Sequence, residues 1–319
     1  MGVRFLASPV TLFVFVFLLE ITLKVSAKAI YPPIIKEARK VTYKTASSTR
    51  LNLWIIDPEG HKKNDKRPVI VFFFGGGWRG GTPAQFEMQC KYLASRGIVS
   101  ITADYRVSSR HKTLATACVE DGKSAIRWIR KNADKLGIDP DKIAAGGGSA
   151  GGHIAATTAT LQGFDAENES IEISSKPNAL VLFNPALALD DIGTEFILPE
   201  DTKATLPHRA GTKPREISPY HHLDKTLPPT LVFHGTQDDA VPFATVRLFQ
   251  RKASRLGRKC RLIAFPGKPH GFFNWGRFEN EPFRKSMKET DRFLSELGWL
   301  QGKPTIDQFI IRKQTRPKQ

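Results

Sequence analysis

An α/β fold, with a mostly parallel central sheet and helices on both faces, is what this chain predicts, on three observations. Short apolar runs rich in Val, Ile and Phe alternate along the chain with longer stretches of helical spacing. A glycine-framed serine, Gly147-Gly148-Ser149-Ala150-Gly151, stands between an apolar strand and a small-residue helix. Downstream, an acid and then a histidine each follow a further apolar strand.

In chain order, a strand pair is expected over 40–56, followed by a charged turn over 57–67 and a buried strand over 69–74. A helix over 84–96 and a strand over 99–103 come next. The spacing of Val119, Ala125, Ile126, Ile129, Ala133 and Leu136, with Lys and Arg between them, predicts a helix over 118–136. Gly137 and Pro140 mark its end. After the strand at Ile143 and the serine-bearing turn, residues 178–183 read as a strand. The stretch 186–227 is long, polar and proline-rich, so it is expected to be an insertion that covers the site as a small lid or binding loop. Strands over 230–233 and 261–265 and helices over 243–256 and 283–297 complete the core.

A serine on a sharp strand-to-helix turn needs small neighbours, because a Cβ there would meet backbone, and glycines supply that. Ser149 is the candidate nucleophile. Its hydroxyl is unreactive at neutral pH without a histidine base, and the histidine needs a carboxylate to set its tautomer. The turn Gln237-Asp238-Asp239 after one strand offers two acids, and His270, in Pro269-His270-Gly271 after the next, is the candidate base. The order Ser, Asp, His is the one found in α/β-hydrolases. Upstream, a strand ends abruptly in Gly75-Gly76-Gly77-Trp78. Bare amides in such a run can hold an oxyanion. Gly76 and Gly77, with the amide of Ala150, are the candidate donors, and Trp78 is a candidate substrate contact.

These pieces together, GGGW, Asp104-Tyr105-Arg106, GGGSAGGH, HGTQDDAVP and PHGFF, resemble the α/β-hydrolase superfamily, close to small acetyl-xylan and feruloyl-esterase-like (BD-FAE-type) carboxylesterases, over about 51–300. The resemblance implies an α/β-hydrolase fold and hydrolysis of short acyl esters, with acetyl or feruloyl groups on carbohydrates as substrates and no metal or organic cofactor. Its HGTxDxxVP register puts the acid on Asp238. The chain departs at Phe74, where many relatives have a histidine that helps hold the glycine loop. The same C-terminal motifs are common in prolyl-oligopeptidase-like peptidases, although no propeller repeat accompanies them here. A non-catalytic binding module on this fold is the reading from another class, against which the presence of all four site elements argues.

Other histidines have plainer uses. His234 is expected to shape the acid turn and His153 to pack near the serine; His221-His222 form a loop pair without zinc-site spacing. Arg4, an apolar run over 5–23 and Val25-Ser26-Ala27 fit a secretory signal over 1–27 better than a membrane anchor, since Glu20 interrupts the run. Secretion or a periplasmic location is therefore expected, with one catalytic domain over 28–319. That leaves about 290 residues, enough for a large single core. Three cysteines leave at least one unpaired, and Cys90 with Cys118 is the expected disulfide. Net charge is +17, carried by 48 basic against 31 acidic residues. No nucleic-acid motif accompanies it, so association with acidic polymers is the expected consequence, with a basic tail over 302–319. Oligomeric state stays open.

Overall fold

The structure, a computed structural model, describes residues 31–315. The expected signal over 1–27 lies outside the described residues, as do the last four residues of the basic tail. Eight strands form one sheet: β1 (Arg39–Ala46), β2 (Thr49–Ile56), β3 (Arg67–Phe73), β4 (Val99–Ala103), β5 (Ile138–Gly148), β6 (Ala179–Phe183), β7 (Thr230–Gly235) and β8 (Cys260–Phe265). Their spatial order is β1-β2-β4-β3-β5-β6-β7-β8. The hairpin β1–β2 and the β2–β4 pairing are antiparallel, and the six strands from β4 to β8 run parallel.

The longer helices are α1 (Glu87–Ser95), α2 (Ala115–Lys131), α3 (Ala150–Thr160), α4 (Glu200–Ala210), α5 (Phe243–Arg255), α6 (Glu281–Glu296) and α7 (Ile306–Thr315). Side chains of a strand alternate between faces, so a central strand with apolar residues at every position must be covered twice. β3 does this: Val69, Val71 and Phe73 join the core that contains Val119, Ile126 and Ile129 of α2 and Ile154 of α3. Ile70 and Phe72 join the opposite core, with Tyr92 of α1, Met287 of α6 and Phe309 of α7. The α/β layering expected from the sequence is the fold observed.

Three expectations change. The helix expected over 118–136 begins earlier, at Ala115, and breaks at Asn132 before a last short turn at Ala133–Leu136. The tail expected only to be basic carries α7, which folds because Ile306, Phe309 and Ile310 are buried. Cys90 and Cys118 do not pair: all three cysteines are free and buried. Cys90 sits on α1 in one core and Cys118 on α2 in the other, with the sheet between them. A disulfide needs Cα atoms about 4.4–6.8 Å apart, less than the thickness of a sheet with its packed helices.

Candidate active site

Every sequence-predicted site residue lies at the carboxyl end of a parallel strand or in the turn that follows, where open α/β sheets hold their ligands. β3 leads to Gly75-Gly76-Gly77-Trp78, β5 to Ser149, β7 to Asp238 and β8 to His270. The last placement is anchored by the two residues after the histidine. Phe272 packs 4.5 Å from the Phe265 ring and Phe273 4.8 Å from the Phe183 ring, both fully buried in centroid contacts that fix the loop.

Ser149 has φ 55° and ψ −120°, a conformation that a residue other than glycine adopts only under strain. The glycines make it possible: a Cβ on Gly151 would stand 2.0 Å from the Phe73 carbonyl oxygen. The serine amide donates to Phe183 O at 2.9 Å, and its carbonyl accepts from His153 N–H at 2.9 Å, so the turn is pinned to β6 and α3. Ala150 is the first residue of α3, where an amide has no helical acceptor.

Gly76 and Gly77 line the same cavity as Ser149, and neither amide has a backbone or side-chain acceptor among the described residues. Gly76 has φ +134°, open only to glycine, and turns the chain so that its carbonyl accepts from Arg79 and Gly80. In place of a histidine at position 74, three residues hold this loop: Tyr105, Gln85 and Arg209. The Phe74 ring stacks on Tyr105 at 4.0 Å while Tyr105 Oη–H donates to Phe74 O at 2.6 Å. Gln85 Oε1 accepts the Gly75 amide at 2.6 Å, and Arg209 Nη2 donates to Gly77 O at 3.0 Å. Trp78 borders the cavity but is buried, and its indole N–H donates to His153 Nδ1 at 3.2 Å. His153 in turn donates from Nε2 to Ile217 O at 2.7 Å, so it tethers the insertion to the glycine loop.

His270 Nδ1 donates to the Asp238 carboxylate, at 2.8 and 2.9 Å. Asp239 is exposed at the cavity rim and makes no such bond. Burial works against the charge of Asp238, yet hydrogen bonds from His234, His270 and the Val241 amide hold its carboxyl well below the usual carboxylate range. His234 Nε2 lies 3.2 Å from Asp238 Oδ2 and 2.8 Å from Val241 O, which makes it a brace of the acid turn. His221 and His222 bond within the insertion, to Ser218, Asp191 and Arg215.

Ser149 and His270 face one cavity of about 630 Å³, but no hydrogen bond joins them. His270 Nε2 instead has Asn184 Nδ2 at 3.4 Å. Catalytic hydrogen bonds often tighten only when substrate is bound. Asn184 follows β6, and its Oδ1 accepts the Gly271 amide at 3.1 Å, which orients Nδ2 toward the imidazole. Asn184, Gln85 and Arg209 were invisible to sequence reasoning. Only the Asn184-Pro185 pair at a strand end could have drawn attention to the first. The stretch 186–227 lines part of the cavity, with Leu189 and Leu198 from its loops and Leu206 and Arg209 from α4, a helix where a loop was expected.

The BD-FAE family model matches residues 55–253. The chain is 30% identical over 249 residues to Esterase LipC of Mycobacterium tuberculosis, covering 73% of this chain and 59% of that protein. It is 25% identical over 284 residues to an acetylxylan esterase of Xylanibacter ruminicola, covering 86% of this chain and 53% of the relative. The chain thus spans a little over half the length of these curated relatives. Among solved structures it resembles Thermogutta terrifontis esterase 2 phosphonylated by sarin, with TM-score 0.84 and 48% identity, covering 86% of this chain and 100% of that one. A propionate-bound structure of the same esterase matches with TM-score 0.81 and 48% identity, over 86% and 99% of the two chains.

Proposed function

The chain belongs to the BD-FAE family, and from that premise we propose that it is a serine carboxylesterase acting on short-chain acyl esters, with acetyl or feruloyl groups on carbohydrates as its substrates. One observation carries the reading: a histidine paired to a buried carboxylate opens onto the same cavity as a strained serine and a loop of unpaired amides. In this reading Ser149 Oγ attacks the ester carbonyl while His270 Nε2 takes its proton and Asp238 holds the imidazolium. The amides of Gly76, Gly77 and Ala150 donate hydrogen bonds to the carbonyl oxygen as negative charge develops on it, a contribution of roughly 3 kcal/mol per donor in comparable sites. His270 then protonates the departing alcohol. Water releases the acid by the reverse sequence, and His270 again serves as base.

Relatives described as an acetylxylan esterase and as a propionate-bound esterase support short acyl groups. The cavity, of about 630 Å³, has room for a short acyl group together with a sugar-sized alcohol. Secretion, expected from the leader, would bring such an enzyme to extracellular polysaccharide. Nitrophenyl esters from acetyl to dodecanoyl, run with the protein and with Ser149→Ala, test the proposal. Turnover that needs Ser149 and declines with chain length is expected; serine-independent turnover, or none across the series, would refute it.

A further inference from the structure

The glycine loop and the histidine loop must act on one carbonyl in a single step, yet the sheet does not join them. Gly75 follows β3 and His270 follows β8, and β5, β6 and β7 stand between those strands. A chain of side-chain amides crosses the gap. Gly75 N–H donates to Gln85 Oε1 at 2.6 Å, Gln85 Nε2 donates to Asn274 Oδ1 at 3.1 Å, and Asn274 Nδ2 donates to Gly271 O at 2.9 Å. The chain therefore starts one residue before the oxyanion donors and ends one residue after the base. Gln85 and Asn274 both line the cavity that holds Ser149.

The direction of the chain is fixed at both ends. A backbone N–H only donates and a carbonyl only accepts, so Gln85 turns its oxygen to Gly75 and Asn274 turns its nitrogen to Gly271. The middle bond is then a donor meeting an acceptor, and no link is frustrated. The Asn274 backbone N–H reaches the same Gly271 carbonyl at 3.3 Å, while the Gly271 N–H donates to Asn184 Oδ1 at 3.1 Å. Both polar groups of Gly271 are thus held by side-chain amides. Beneath the bridge, the adjoining residues Phe86 and Phe273 stack at 5.6 Å and are buried. Apolar contact holds the seam together there, which leaves the amides above it to set the spacing of the two loops. Resting on the serine-esterase reading, we infer that Gln85 and Asn274 are positioning residues that act as one unit, holding the amides of Gly76 and Gly77 in register with His270.

The test measures kcat and KM for nitrophenyl acetate, per folded molecule, in the native protein, in Gln85→Met, in Asn274→Leu and in the double variant. Both substitutions keep bulk over the Phe86–Phe273 stack and remove only the amides. Acylation and deacylation use the same donors and the same base, so both slow together. Each single variant should lose roughly 10- to 100-fold in kcat, the scale of a small misplacement at a reacting centre, with KM changed less than about twofold. A chain broken once is broken, so the double variant should lose no more than Gln85→Met alone. Losses that multiply would make the two residues independent props and overturn the inference. A raised KM with native kcat would overturn it too, as the mark of a substrate contact, and so would a lowered melting temperature with native kcat, as the mark of a merely structural pair. Gln85→Ser and Asn274→Ser, too short to meet, carry the same expectations where the bulkier changes prevent folding. Ser149→Ala, run alongside, keeps the two readings apart: turnover that needs Ser149 but ignores the bridge sinks this inference alone, whereas turnover that does not need Ser149 removes the esterase reading and the inference with it.

Discussion

Asp238 accepts hydrogen bonds from His270 and from the amides of Ala240 and Val241, and His234 stands against its other face. So many donors around one carboxylate keep it ionised and aimed, which is what an imidazole partner requires. Asp238→Asn should therefore cut kcat by roughly 10⁴, as loss of the tautomer-setting acid does in serine hydrolases. Asp239→Asn, at the exposed rim, should change it less than tenfold; the reverse ranking in initial-rate measurements would reassign the acid. Asn184→Ala removes both the Gly271 tether and the group facing His270 Nε2, so kcat should fall by about tenfold, the scale of a small misplacement at a reacting group. Unchanged kcat would deny it a positioning role. The candidate serine, acid and histidine could be picked out in the sequence because each is announced by its neighbours, GxSxG, HGTxDxxVP and PHGFF. Asn184 and Arg209 were not, because their roles come from strand order and from a helix packing back over the cavity, and neither leaves a local pattern.

His153 links three elements: α3, which carries it, the glycine loop through Trp78, and the insertion through Ile217. Burial holds its imidazole down to about 4, although the bond to Ile217 O works the other way. In the unfolded chain the same group takes up a proton near 6.5. Below pH 6.5 the unfolded state therefore binds more protons than the folded one, so stability present above 6.5 is lost as pH falls toward 4, by up to roughly 3 kcal/mol. His153→Gln should flatten that limb of the melting temperature against pH; an unaltered slope would show that other groups set it. The α3 N-terminus is equally exacting. Gly151→Ala, with its Cβ driven against Phe73 O, should prevent soluble folding or displace the serine turn, read as lost activity with a lowered melting temperature. Strands were easy to place because the core strands are apolar throughout, whereas α4 and α7 escaped notice: α4 contains Pro207, and the basic residues around α7 mask its three buried apolar positions.

At the scale of the molecule, the two cores on opposite faces of one sheet make the strand ends a rigid rim, and the functional groups stand on that rim rather than on mobile tips. The same layering is why Cys90 and Cys118 are kept apart, a relation that spacing along the chain does not reveal. The +17 charge is scattered over the chain. As a proposal, it gives electrostatic attraction to acidic polymers, expected to appear as retention on an anionic matrix that vanishes as salt rises through a few hundred millimolar; retention indifferent to salt would contradict it. The central claim is that Ser149 is a nucleophile made reactive by its setting. Intact mass after incubation with a fluorophosphonate, followed by peptide mapping, addresses it most directly. A single adduct on Ser149, formed far more slowly in His270→Ala and absent in Ser149→Ala, is the expected result; a folded protein that stays unlabelled, or carries the label elsewhere, would contradict it.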